Sequence, residues 1–219
     1  MKYHWRYVFE ALPFLLRGAL VTLEVSLLAV LLGLCVGIVL TLVRQSRIRG
    51  LNYLVLAYIS LMRGTPLFIQ ILIVYLGLPL LGLDVPRFQS GVIALSLNSG
   101  AYITEMIRGG LAAVPHGQTD AARALGMRAR LIWSHIILPQ VLVLILPPLT
   151  VEFTGLLKAS ALLSVIAVVE LTRSAQQIIG GNFRTVEVWL TTGVLYFMMC
   201  YALGAVTRRF ERMGSVYRL

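Results

Sequence analysis

Charge is scarce in this chain of 219 residues: 13% of it is Asp, Glu, Lys or Arg, and Asp and Glu together number 9. A soluble domain carries about 25% charged residues, so a fold that turns a charged face to water all round is excluded. Cysteine is nearly absent too. Cys35 and Cys200 both lie inside apolar runs without a second ligand at metal spacing, so they read as small core residues. The histidines, His4, His116 and His135, are isolated from one another, and neither metal-ligand nor triad spacing occurs. There is no Walker sequence, so the chain does not bind ATP by itself. These gaps leave no catalytic residue, no metal and no cofactor to assign, and the expectation is a protein that is not an enzyme. An internal repeat is also missing, which matters because many secondary transporters enclose their site between repeated halves.

What the chain does have is apolar sequence: 58% of it is hydrophobic. Windows of about 20 apolar residues, the length that crosses a bilayer, fall at 18–43, 52–77, 89–112, 139–165 and 187–207. Lipid offers no partner to a free peptide group, so each must be helical. The expected fold is an all-α integral membrane protein of five transmembrane helices, one domain over 1–219. The basic residues set its orientation. Lys2, Arg6, Arg17, Arg87, Arg173 and Arg184 fall on one side. The larger set falls on the other: Arg44, Arg47, Arg49, Arg108, Arg123, Arg128, Arg130, Arg208, Arg209, Arg212 and Arg218. Positive residues stay inside, which puts the N-terminus outside and the C-terminus, with the tail 208–219, in the cytoplasm. Residues 1–17, with Trp5, Tyr7, Phe9 and Arg17, suit a retained interfacial helix and lack the cleavage site of a signal peptide. The net charge of +10 is scattered between apolar runs and forms no dense patch, so the partner it implies is membrane lipid and not nucleic acid.

The stretch SLMRGTPLFIQIL, residues 60–72, breaks the apolar pattern with Arg63 and Pro66. Arg63 lies about 11 residues into its span, or about 16 Å. An arginine at that depth faces an interior or a wet cavity, and Gly64 and Pro66 loosen the backbone beside it. Its guanidinium can hold a carboxylate by paired hydrogen bonds, helped by the hydroxyl of Thr65. The structural alternative is a pair with Glu152 that only ties helices together. Gln70, seven residues on, shares the face of Arg63. Ser26, Asn98 and Glu152 are further polar groups at depth. Thr22 reads as ordinary interhelical hydrogen bonding. Glu105 and Arg108, three apart, read as a structural pair, and Glu24 as an interfacial residue. Five helices without a repeat are too few to wrap a polar path, so the path is expected between two subunits, identical or homologous.

The longest segment between spans on the basic side is 113–139, AVPHGQTDAARALGMRARLIWSHIILP. Pro115 and Gly117 mark a turn. Gln118 to Leu125 predicts a short helix with Asp120 in its first turn and Ala121, Ala122 and Leu125 on one apolar face, ended by Gly126. Leu131, Ile132, His135 and Ile136 predict a second, ended by Pro139. Periodicity allows two accounts: a helix lying on the membrane, or a helix docking in a partner's groove.

The order Asp120-Ala121-Ala122, three residues, Gly126, nine residues, Ile136, one residue, Leu138-Pro139 resembles the EAA loop of ABC importer permeases, with Asp120 where the family usually has Glu. The segments Arg63-Gly64-Thr65-Pro66-Leu67 with Gln70, Tyr75-Leu76-Gly77-Leu78-Pro79, Glu105 to Gly110, Pro147-Pro148-Leu149, Leu156-Leu157-Lys158 and Ser164-Val165-Ile166 are similar to its polar amino acid branch. The likeness covers roughly residues 14 to 212. It departs at Ala159, where the family often has an acid, so Lys158 needs another partner. The resemblance implies a type I ABC importer fold in a bacterial inner membrane. It implies two ATP-binding subunits gripping Asp120, Ala121, Ala122, Leu125 and Gly126, a second permease subunit, and an extracytoplasmic solute-binding protein delivering a polar amino acid. It also implies a substrate region at Ser26, Asn98 and Glu152. The competing classes are an ATP-independent channel or secondary carrier and a membrane scaffold without transport.

Overall fold

The computed structural model describes residues 5–46, 48–182 and 185–214. Lys2, His4, Arg47, Arg184 and Arg218, named above, lie outside them, as do the side chains of Trp5, Arg6, Tyr7 and Arg212. The described regular structure is helical: α1 (Trp5–Gln45), α2 (Arg49–Gly64), α3 (Leu67–Leu80), α4 (Arg87–Ala113), α5 (His116–Ala124), α6 (Ala129–Ile132), α7 (Leu138–Ala159), α8 (Leu171–Asn182) and α9 (Thr185–Gly214). A π turn over Trp133–Ile137 joins α6 to α7, and a 3-10 turn over Ser160–Ile166 follows α7.

Three stretches are long and apolar enough to cross a membrane: Phe9–Gln45, Ala129–Ile166 and Thr185–Arg209. The bent pair α2 and α3 makes a fourth if it is one span. The outer surface is greasy, with Leu54, Leu80, Val151 and Phe197 all well exposed. The expected span at 52–77 is two helices meeting at 112° across Thr65 and Pro66, both in extended backbone. The expected interfacial segment does not form a separate helix. From Trp5 on it is continuous with the first span, through Pro13. Packing explains this, because Ala11, Leu15 and Ala19 are buried against Leu171, Ala175 and Val188, which carries the apolar face of α1 past Gly18.

The helix expected at 89–112 is present as α4 but is too polar to pass as lipid-facing. Its position accounts for that. It sits at the centre against α1, α2, α3 and α7, so Ser96, Asn98, Ser99 and Thr104 are covered by protein. The α1–α4 seam is tight because glycines line it. A Cβ on Gly37 would come within 2.6 Å of Ile103, and one on Gly100 within 2.5 Å of Val36. Small residues at such a crossing let two backbones approach where apolar burial supplies no force between helices in lipid. At the α5 end of this seam, Glu105 on α4 takes Arg44 of α1 and Arg108, the latter at 2.7 Å. The expected Glu105–Arg108 pair is thus half of a clamp between two helices.

Candidate functional site

The break at Gly64 leaves carbonyls without helical partners, and side chains satisfy them. Thr65 Oγ1 donates to Leu61 O at 2.7 Å. Gln70 Nε2 donates to Met62 O at 2.8 Å and to Thr65 Oγ1 at 2.9 Å. Asn98 Nδ2, from α4, donates to Gln70 Oε1 at 2.9 Å and to Met62 O at 3.2 Å. The sequence thus places Thr65, Gln70 and Asn98 in one network, and the network's work is to hold an irregular backbone. Unmet carbonyls at membrane depth cost several kcal/mol each. A cavity of about 140 Å³, lined in part by Met62, Thr65, Gln70 and Leu97, lies against it.

Arg63 ends α2 and is exposed on this chain. Its guanidinium lies over the ring of Tyr102, 5.3 Å from the centroid, a cation–π contact. Among the described residues it forms no ion pair, so the alternative pairing with Glu152 is not made. Glu152, half-buried on α7, turns to Ser99 on α4, whose buried hydroxyl has no well-aligned partner. Asn98, Ser99 and Tyr102 therefore bring Gln70, Glu152 and Arg63 respectively onto one stretch of α4. Lys158 is exposed on α7, also without an ion pair among the described residues. Ser26 is not part of this group: it is fully buried, and its hydroxyl donates to Thr22 O of its own helix at 2.7 Å.

The sequence reading passed over Glu170. It is fully buried, and its carboxylate accepts from the backbone N–H of Thr172 at 2.8 Å and of Arg173 at 2.7 Å, capping α8. Tyr196 of α9 donates to it at 2.9 Å, and Thr22 of α1 lies at 3.5 Å. Burial pushes the carboxyl up from its ordinary value, with the hydrogen bonds of Thr172, Arg173 and Tyr196 pulling it down. The signal in the sequence was an acid directly ahead of the amphipathic run Leu171–Asn182.

At the other end, α5 begins at His116, earlier than expected, so Asp120 sits beyond the first turn and pairs with Arg123 at 3.2 Å in the open. The expected apolar face divides. Ala122 is buried at 3% exposure, while Ala121 is exposed and Leu125 is 82% exposed. Gly126 ends the helix as expected, in the left-handed region at φ +73°. Its N–H bonds Arg123 O and that of Met127 bonds Ala122 O. The second helix does not end at Pro139. Pro139 opens α7, and the π turn, closed by Leu138 N–H to Trp133 O, carries α6 into α7 around the missing N–H of the proline. The result is an exposed short helix, tipped by a bare leucine, mounted on the foot of a long apolar one.

The family model for the inner membrane component of binding-protein-dependent transport systems matches residues 29–213. The chain is 36% identical over 218 residues to the glutamine transport system permease protein GlnP of Escherichia coli (strain K12), covering 99% of this chain and 100% of that one. It is 37% identical over 202 residues to the arginine transport system permease protein ArtQ of Bacillus subtilis (strain 168), 92% of each. A solved amino acid ABC transporter structure with histidines superposes with a TM-score of 0.90 at 37% identity, over 97% of this chain and 100% of the other. The inward-facing methionine ABC transporter MetNI shares the fold at 0.75 and 23% identity, over 93% and 97%. The chain belongs to the family of binding-protein-dependent transport system inner membrane components.

Proposed function

We propose that the chain is the permease subunit of an ATP-driven importer of polar amino acids, with α5 as the lever that an ATP-binding subunit grips. The observation that carries this is the exposed α5, whose bare Leu125 and Ala121 lie beside the buried Ala122. An exposed leucine beside an exposed alanine, on a short helix outside the apolar body, offers the kind of face that a partner's groove covers. Five passes suit the chain: α1, the bent pair α2–α3, α4, the run from α6 through α7, and α9, with the N-terminus outside and the C-terminus in the cytoplasm. The membrane is then the bacterial inner membrane.

Two permease subunits, identical or homologous, enclose the path, and an extracytoplasmic binding protein loads it. Arg63 and Glu152, both without an ion pair among the described residues, are the groups that meet the α-carboxylate and the amino group of the substrate. The amide network of Thr65, Gln70 and Asn98 holds the broken helix that presents Arg63. Ser26 takes part only if α1 shifts. ATP binding closes the two ATPase subunits, moves both levers and rocks the helices from inward-open to outward-open.

Proteoliposomes holding this chain with its ATPase test the reading. Uptake should depend on ATP and binding protein. The Gly126→Asp and Leu125→Ala variants should reach the membrane and lose most of it. Normal uptake by both variants would remove the coupling role from α5.

A further inference from the structure

A lever attached to two helices can move either, and this one is attached unequally. Toward α4 it hangs on Val114 and Pro115, both in extended backbone, with no side-chain hydrogen bond between α4 and α5 among the described residues, and Val114 itself is buried against Val141 and Ile145 of α7. Toward α7 it is continuous through the Gly126 turn, α6 and the π turn, with Ala122 and Ile132 buried. It is also cross-tied. Gln140, in the first turn of α7, donates from Nε2 to Gln118 Oε1 of α5 at 2.6 Å and to Ile136 O of the π turn at 2.7 Å. The amide is thus fixed to the foot of α7 and holds α5 by a second point beside the chain connection. Two attachments stop the lever from swivelling about the turn.

We infer that Gln118 and Gln140 are positioning residues that deliver the lever's stroke to the foot of α7, and so toward Glu152 and Lys158. This rests on the reading of α5 as the ATPase lever. The tie is between neutral amides, so it holds across the pH range and in high salt, where an ion pair at the same place would weaken.

The test is amino acid uptake per ATP hydrolysed, in proteoliposomes of the whole complex with its binding protein. Gln118→Leu, Gln140→Leu and the double variant are compared with wild type. Leucine keeps the bulk and removes the bond. Each single variant should lower the ratio about fivefold, the scale of one net hydrogen bond, with ATP hydrolysis retained. The double variant should be no worse than Gln140→Leu, which already removes the tie together with the bond to Ile136 O. The Gln118→Glu, Gln140→Lys pair should return the ratio to within about twofold by an opposite-charge contact. An unchanged ratio in both single variants, additive losses in the double, or no rescue by the charged pair overturns the inference. If wild-type complex itself neither binds the ATPase nor transports, the reading of the lever fails, and the inference with it.

Discussion

Replacing Glu170 by alanine should cost the fold more than any other single polar change near α8. The side chain is fully buried and accepts from the N–H groups of Thr172 and Arg173 and from Tyr196 Oη. Tyr196 keeps a partner in the variant, because its hydroxyl also lies 3.0 Å from Thr172 Oγ1. The two backbone donors do not. Each buried donor left unmet costs about 1–3 kcal/mol, and part is offset because a carboxylate no longer has to be desolvated, so the net loss is about 2–4 kcal/mol. For a chain of this size 1 kcal/mol moves Tm by about 2–4 °C, which sets the expected drop near 10 °C. Glu170→Gln keeps one acceptor and should fall about half as far. The assay is thermal unfolding of the detergent-solubilised chain, followed by loss of the monodisperse peak on size exclusion. A Tm for Glu170→Ala within about 1 °C of wild type would refute the claim that this carboxylate pins α8 to α1 and α9.

Four more outcomes can be checked. Burial raises the Glu170 carboxyl, so the folded chain holds that proton more tightly than the unfolded one; wild-type stability should be highest below the ordinary glutamate range and decline as pH rises through the raised value, a decline that a Tm series on Glu170→Gln should lack. Gly100→Val drives a side chain into Val36, already 2.5 Å from a first added carbon, and should cost about 1–3 kcal/mol or more, seen as lowered yield of folded protein. Asn98→Leu and Gln70→Leu each strip donors from Met62 O, and a double-mutant cycle on Tm should show them non-additive, since they share that carbonyl and bond one another. Arg63→Ala should raise KM for uptake about tenfold or more, the scale of a lost charge-assisted bond, while Lys158→Ala tested alongside shows whether the second exposed cation carries the same load.

The sequence made some of this readable and hid the rest for definite reasons. Gly64, Pro66 and Gly126 act on their own backbone, so a loosened backbone beside Arg63 and the stop of α5 are legible in local chemistry, while the 112° bend into two helices is not. Gln70 shares the face of Arg63, and Asn98 is a polar group costly to bury at depth, so the sequence points both toward the path. That they are occupied with Met62 O depends on a contact between residues far apart in sequence. The burial of Ser26, the cap by Glu170 and the Arg44 arm of the Glu105 clamp are likewise long-range. Pro139 was read as a stop, because nothing local reveals that a π turn will absorb it. The family likeness singles out the α5 segment but not how its faces divide between Ala122 and Leu125.

Helix α1 has 41 residues, a rod of about 60 Å at 1.5 Å per residue. The hydrocarbon layer is about 30 Å deep, and even at a lean of about 40°, the steepest usual for such helices, it would hide only about 40 Å of that rod. About 20 Å must therefore stand clear of the oil. The Phe9–Arg17 stretch, seated on α8 and α9, is the part positioned to do so, as a mast above the lipid headgroups.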